Sequence, residues 1–494
     1  MDITAVPQLD KRKEADLIVV PCWQEEKGAI PALVCKSLEH VFKFPIASGD
    51  FLGKEGESLF LYTDGIEKRV VLLGLGKKKG FSEDVLRRSY AALVKPMRSK
   101  KMESLNLLVP EIHKCQEERA IQLICEGVLL ANYSFNQLRG ESLKEASPLL
   151  KKMTFVGVPA SVLTLAKQSS AVISSVHWAR DLVNQNADNK SPDVLAAVAK
   201  QISKEYPAVK TQVLGKKELE KEKMGLLLAV NRGSIQDPAL IIVAYQGNPS
   251  SKEKTALIGK GVVFDTGGLN LKPTGSMETM KCDMSGAAAA LGTVRAAAAL
   301  GLKCNLVAVV PATENAMGPN SYKPGDVYTS HCGKTVEISN TDAEGRLILA
   351  DAISYTQEHL KPTRIIDLAT LTGAIVVAIG EEMSGLFCND EALAVALIEA
   401  GERSSELLWR MPLFQGYKEM LKSPIADMKN SAGRKGGSII AALFLEAFVK
   451  EGTPWAHLDI AGAAFLEHPK GYNPTQATGV GIRLLIELLS DEKK

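Results

Sequence analysis

Three stretches of this chain set charged residues into sequence that is otherwise apolar, and each charge demands a partner. The first reads Gly259-Lys260-Gly261-Val262-Val263-Phe264-Asp265-Thr266-Gly267-Gly268 and continues to Lys272 and Pro273. Its apolar residues predict one strand over 256–264, in which Lys260 is costly to bury because desolvation disfavours the ammonium. Either Asp265 is its ion-pair partner or the lysine has a functional role. Gly267 and Gly268 let the chain turn sharply and let another group come close to Asp265.

The second stretch, 277–290, reads METMKCDMSGAAAA and predicts the start of a small-residue helix over 277–300. Asp283 is the lone carboxylate of its alanine-rich part, where facing the core would be costly unless it were paired or metal-bound. Met280, three residues earlier, shares its helix face and reads as pocket wall. The third stretch is Asn340-Thr341-Asp342-Ala343-Glu344-Gly345-Arg346-Leu347. Asp342 and Glu344 point the same way if the backbone is extended, with Arg346 beside them where a helix over 343–359 begins. Taken alone, this segment is also an acidic helix N-terminus that complements the macrodipole.

Charge balance favours chemistry if the three stretches converge. Asp265, Asp283, Asp342 and Glu344 carry four negative charges, which two divalent ions would neutralise. Oxygen-rich ligation fits Mg, Mn or Zn, and two metals ~3.5–4 Å apart can activate one water while polarising a carbonyl. A neutral lysine amine can complete such a set, because neighbouring cations lower its pKa. Seven histidines, at 40, 113, 177, 331, 359, 457 and 468, form no HExxH, so carboxylates must dominate the ligation.

The elements that position these residues predict two domains, since 494 residues exceed one compact core. Short β-branched runs at 16–20, 69–75, 105–109 and 153–158 alternate with polar helical stretches, the pattern of an α/β domain with a largely parallel sheet. A helical stretch over 163–187 and a turn-rich segment ending at Ser191-Pro192 connect it to the next domain. Strands then return at 240–245, 256–264, 306–310, 364–368 and 457–460, again α/β with the sheet covered by helices. The expected division is a smaller N-terminal domain over 1–165, a linker helix and loop over 166–190, and a larger catalytic domain over 191–494.

Composition narrows the function classes. A net charge of +2 gives no footprint for general nucleic-acid or membrane-surface binding. The charged N-terminus lacks the h-region of a secretory signal, and no apolar run reaches the ~18–20 residues that span a bilayer. Eight cysteines, at 22, 35, 115, 125, 282, 304, 332 and 388, form no CxxC pair, which argues against a zinc ribbon or disulfide scaffold and predicts reduced thiols in a cytoplasmic protein.

The three stretches resemble those of the leucyl aminopeptidase family, the M17 metallopeptidases. The resemblance rests on the unbroken NTDAEGRL at 340–347, on IGKGVVFDTGG, on the M-K-x-D-M-x-G-A-A run, on ATLTG at 369–373 and on WAHLDIAG at 455–462. It implies that Lys260, Asp265, Asp283 and Glu344 hold a tighter divalent metal, and that Asp265, Asp342 and Glu344, with the Asp342 carbonyl, hold an exchangeable one. Zn2+ or Mn2+ is the implied metal, with Mg2+ a further option.

The resemblance also implies an exopeptidase that binds the substrate's free amine and attacks with a metal-bridging hydroxide. Lys272 would donate to the developing oxyanion, and Arg346 would hold a bicarbonate as general base. Leu371 and Gly373 would align the peptide through their backbones, while Met280, Thr370, Gly373 and Ala464 would wall a pocket for leucine or methionine. A hexamer of two stacked trimers is implied as well. The chain departs from the family pattern at 184–190 and 316–322, away from every implied ligand. The alternatives are another two-metal hydrolase such as a phosphoesterase, which NTDAEGRL and Lys260 disfavour, and a DNA- or protein-binding role for the first domain, of which near-neutral charge disfavours the DNA version.

Overall fold

The computed structural model describes residues 1–494 apart from 27, 34–35, 113–114 and 492–494, so Cys35 and His113 lie outside the described residues. The chain forms two compact units, Met1–Ile173 with His468–Thr475, and Ser174–Glu467 with Gln476–Lys494. The division falls inside the helix Leu163–Asn184.

In the first unit, strands β1 (Asp2–Val6), β2 (Leu17–Glu25), β3 (Gly28–Pro31), β4 (Ser58–Tyr62), β5 (Arg69–Lys77), β6 (Ser104–Leu108) and β7 (Lys152–Val156) make one sheet. Its order is β1-β7-β6-β2-β5-β4, with β3 paired to β2. The four β-branched runs expected from sequence are β2, β5, β6 and β7, joined in parallel. β2 is buried over Leu17–Trp23, as expected of a central strand covered on both faces. β3 pairs antiparallel with β2 and β4 with β5, while the edge strand β1 pairs parallel with β7. Partial burial hides β1, β3 and β4 from sequence patterns.

In the second unit, the main sheet contains β8 (Val209–Leu214), β9 (Ala239–Gln246), β10 (Thr255–Gly259), β11 (Gly261–Asp265) and β12 (Asn305–Asn315). A small separate sheet is formed by β13 (Val327–Thr329), β14 (Thr335–Glu337) and β18 (Met428–Lys429). The main sheet is completed by β15 (Arg364–Ala369), β16 (Ser384–Cys388), β17 (Leu408–Arg410) and β19 (Trp455–Asp459), in the order β17-β16-β19-β15-β10-β12-β9-β8 with β11 on β12. The run β19-β15-β10-β12 is parallel, whereas β9, β8 and the β16–β19 pair are antiparallel. The architecture is therefore two α/β units, the second with a mixed, largely parallel sheet.

Three elements differ from the sequence expectation, all next to the charged stretches. The single strand over 256–264 is two strands, β10 and β11, broken at Lys260. The Lys260 N–H donates to Leu368 O at 3.0 Å and its carbonyl accepts from Ala287 N at 3.0 Å, so neighbouring elements claim its backbone. A Cβ on Gly259 would lie 2.4 Å from Gly286 O, and one on Gly286 would lie 2.0 Å from Leu368 O. Only glycines admit this approach of helix to strand ends.

The helix expected over 277–300 is a 3-10 turn, Met280–Cys282, followed by the helix Ser285–Leu300. Asp283 therefore lies in the link ahead of the helix, not within it. The helix over 343–359 is α-helical at Glu344–Tyr355 and then π-helical at Thr356–Leu360. The helix Pro192–Glu205 starts as its sequence predicts, with the Ser191 hydroxyl accepting from Val194 N at 3.4 Å. Among the described residues no helix is long and apolar enough to cross a membrane.

Candidate metal centre

The parallel strands of the second unit end on one edge of the sheet, where open α/β sheets place their ligands. Asp265 ends β11, Asn315 ends β12, Asp459 ends β19, and Thr370 follows β15. The N-terminus of Glu344–Tyr355 and the link before Ser285–Leu300 bring Glu344 and Asp283 to the same place.

Two lysines knit the carboxylates together. Lys260 Nζ lies 2.9 Å from Asp283 Oδ1 and 2.7 Å from Glu344 Oε1, and donates to Thr370 O at 2.9 Å. Asp265 is thus not its ion-pair partner. That place belongs to Lys272, whose Nζ is 2.8 Å from Asp265 Oδ2 and 2.5 Å from Asp342 Oδ1. Asp265 Oδ1 accepts from Gly267 N and from Asn315 Nδ2, each at 2.8 Å. One oxygen each of Asp265, Asp342 and Glu344 lies within 4.8 Å of the others. The extended backbone expected for Asp342 and Glu344 is not found. Asp342 sits in a turn, its N–H donating to Asn340 Oδ1 at 2.9 Å, and Glu344 opens the helix.

Burial makes the centre electrostatically tense. Desolvation, then the Glu344 charge, outweigh the neighbouring lysines and push Asp265 up to about 6. Asp283 is likewise raised well above the usual carboxylate range, chiefly by desolvation. Desolvation also acts on Glu344, but the Lys260 and Lys272 cations hold it below its ordinary value. Burial alone would lower Lys260, yet Asp283, Glu344 and Asp265 raise it. Four carboxylates face two ammonium groups, and the buried Asp283 Oδ2 and Glu344 Oε2 accept no hydrogen bond. Such orphaned oxygens are expensive in a protein interior, and divalent cations would satisfy both the lone pairs and the charge. The donor set fits hard or borderline divalent metals.

Arg346 is buried, donates from Nη1 to Asn430 O at 2.9 Å and leaves Nε without a partner. Desolvation lowers its pKa to about 10, against the opposing charges of Glu344, Asp459 and Asp342. Thr370 donates from Oγ1 to Asp283 Oδ1 at 2.7 Å. Leu371 N donates to Asp459 Oδ1 at 3.1 Å. Gly373 opens the short helix Gly373–Ile379 and faces open space, with nothing within 4 Å of a Cβ placed there. Met280 is half-buried in the 3-10 turn, while Ala464 is buried in the loop after β19.

Several positioning residues escape the sequence reading. Asp459, fully buried, also accepts from Thr372 Oγ1 at 2.7 Å and so fixes the loop after β15. Asn315 holds Asp265 and also donates to Thr341 O at 3.0 Å, and Thr341 Oγ1 donates to Gly267 O at 2.6 Å. Asn430 Nδ2 donates to Asn340 O at 2.7 Å. Asp459 lies in WAHLDIAG, a segment singled out without a role for the aspartate; Asn315 and Asn430 carry no local signal at all.

The profile of the cytosol aminopeptidase family, catalytic domain, matches residues 177–486, and that of the family's N-terminal domain matches 19–142. The chain is 52% identical over 491 residues to a probable cytosol aminopeptidase of Protochlamydia amoebophila (strain UWE25), covering 99% of this chain and 98% of that protein. A probable cytosol aminopeptidase of Chlamydia felis (strain Fe/C-56) is 46% identical, with 96% of each chain covered. Among solved structures, a mutant of tomato leucine aminopeptidase matches with a TM-score of 0.89 at 32% identity, covering 99% of this chain and 96% of that one. The bottromycin maturation enzyme BotP in complex with Mn matches with a TM-score of 0.86 at 29% identity, covering 97% of this chain and 100% of that one.

Proposed function

Because this chain belongs to the cytosol aminopeptidase family, and is therefore a metal-dependent aminopeptidase, we propose that it removes apolar N-terminal residues, leucine and methionine above all, from peptides. The observation that supports the metal-dependent chemistry is the largely buried cluster of Asp265, Asp283, Asp342 and Glu344 around Lys260 and Lys272, with Asp283 Oδ2 and Glu344 Oε2 unsatisfied.

Lys260, Asp265, Asp283 and Glu344 would hold one divalent cation, and Asp265, Asp342 and Glu344 the other. When bound, Zn2+, Mn2+ or Mg2+ ions would supply Lewis-acid polarisation of the scissile carbonyl and a water-derived nucleophile at neutral pH. Lys272 stands beside two of these carboxylates and would donate to the oxyanion that develops on the carbonyl. Arg346, with its unpartnered Nε, would hold a bicarbonate ion as the base that takes the proton of the attacking water. The Leu371 carbonyl and the Gly373 backbone would align the peptide, and Met280, Thr370, Gly373 and Ala464 would wall the pocket for its first side chain.

A cytoplasmic setting fits the names of the relatives, and a hexamer of two stacked trimers is the assembly we assign. Exposed Val377, Trp409, Phe414 and Ile425 on the second unit supply apolar surface for contacts between copies.

The test is metal-dependent release of leucine from a leucyl arylamide, with an N-acetylated analogue as control. Turnover of the free amine alone is expected, because the amine anchors the substrate. Cleavage of the blocked analogue at a comparable rate would overturn that anchoring.

A further inference from the structure

A second group of metal-ligating side chains lies at the other end of the helix that opens with Glu344. Glu222, His331 and His359 each offer one ligand atom, and the three atoms lie within 4.8 Å of one another. His359 belongs to the π-helical turn Thr356–Leu360. By the rise of an α-helix it stands roughly 20 Å beyond Glu344. The cluster is thus separate from the catalytic carboxylates, yet tied to them by one rigid element.

Three features distinguish it from a chance surface grouping. The first is spacing: His359 Nε2 and Glu222 Oε2 are 3.2 Å apart, close to the roughly 3.3 Å edge that ligands at about 2.0–2.1 Å span around a tetrahedral ion. The second is orientation. His331 Nδ1 is 2.7 Å from Ser354 Oγ, which leaves Nε2 as the coordinating nitrogen and supplies the outer hydrogen bond that metal-bound imidazoles usually have. His359 stacks on Tyr355 with ring centroids 4.3 Å apart, and the π-turn that carries it is a helix irregularity found often at functional sites.

The third is a shared support. Asp351, completely buried, accepts from His331 N at 2.8 Å and from Leu226 N and Leu227 N at 2.9 and 3.0 Å. One carboxylate therefore anchors both the His331 loop and the chain that follows Glu222. His359 also stands in the last turn of its helix, where the partial negative charge of the carbonyls favours a cation.

We propose that Glu222, His331 and His359 form a third divalent-metal site, of zinc-like preference, that clamps three separate segments of the catalytic unit together. Two imidazoles and one carboxylate select zinc-type ions over Mg2+ or Ca2+. Three protein ligands leave a fourth position for water. The clamp would join the segment ending the helix Lys216–Lys221, the loop before β14 and the end of the helix that carries Glu344 and Arg346.

The full chain, loaded with Mn2+, is dialysed against Zn2+ and its metals are counted by elemental analysis beside Glu222→Gln and His359→Gln. Each variant is expected to hold one zinc fewer per chain than the wild type while keeping aminopeptidase activity, which also reports that it is folded. Equal zinc counts in all three proteins would overturn the proposal. A measurement on the wild type alone guards against a variant that fails to fold. Zn2+ is expected to protect His359 from carbethoxylation by at least tenfold, read by peptide mass spectrometry, and an unchanged modification rate would overturn the site.

Discussion

At the residue scale, the roles proposed for the centre separate ligands from a catalyst among its charged groups. Asp283→Ala removes one of the four carboxylates and strips Lys260 of a partner, so metal content and activity are expected to fall together. Lys272→Ala is expected to keep both metals while the rate drops by about 10²–10³, the size of losing one oxyanion donor. Elemental analysis beside kinetics distinguishes the two, and metal lost from the Lys272 variant would reverse the roles. The pKa directions give a second prediction. Asp265, raised to about 6, and Asp283, also raised by burial, keep protons in the metal-free fold that the unfolded chain has already released. The metal-free protein therefore loses stability as pH rises from the ordinary carboxylate range through about 6. Cation binding has the opposite dependence, because protons compete with it. Mn2+ affinity is expected to weaken as pH falls through about 6, by up to roughly tenfold per unit for each proton displaced. Lys260, whose proton the carboxylates hold tightly, must also surrender it to act as a nitrogen ligand. Titration calorimetry at pH 7.5 (about neutral, above the carboxylate window) in two buffers of different ionisation enthalpy should therefore show net proton release. A binding enthalpy independent of buffer would mean Lys260 stays charged and is no ligand.

At the element scale, glycines decide whether the pieces meet. Gly345 lies one residue into its helix, where alanine is intrinsically better by ~1 kcal/mol. A Cβ there would sit 2.7 Å from both Cε and Nζ of Lys260, so packing opposes propensity. Gly345→Ala is expected to leave the helix content unchanged, displace the Lys260 amine and cut activity by roughly 10²-fold, as ångström-scale misplacement does. Circular dichroism with single-turnover kinetics would check it, and full activity would show that Lys260 has room to shift. The same scale explains what local pattern could not reveal. The break between β10 and β11 comes from Leu368 and Ala287 claiming the backbone of Lys260, and both lie far off in sequence. Asp283 leaves the helix because its carboxylate must face Lys260 and Thr370. An alanine-rich run gives no hint of that.

At the scale of the whole molecule, the proposed hexamer predicts a sedimentation mass of six chains for the active species, with activity lost on dilution to monomers. An active monomer would show that the site needs no assembly. The chain's two-unit α/β character was legible from β-branched runs alternating with helical stretches, because buried parallel strands must be nearly continuous in apolar residues. The identity of the chemical groups was legible too. A lysine and carboxylates within apolar surroundings are costly enough that sequence by itself marks them as partnered. Which groups are partners was not. Sequence offered Asp265 to Lys260, whereas the fold gives it Asp283 and Glu344 and assigns Asp265 to Lys272. Asn315, Asn430 and Asp459 became visible only through the hydrogen bonds that long-range folding creates. The cluster of Glu222, His331 and His359 likewise joins Glu222 to two histidines more than a hundred positions further along the chain. Burial cost is a property of one residue in its local sequence, but distance between charges is fixed by the packing of strands and helices, and only the tertiary structure decides it.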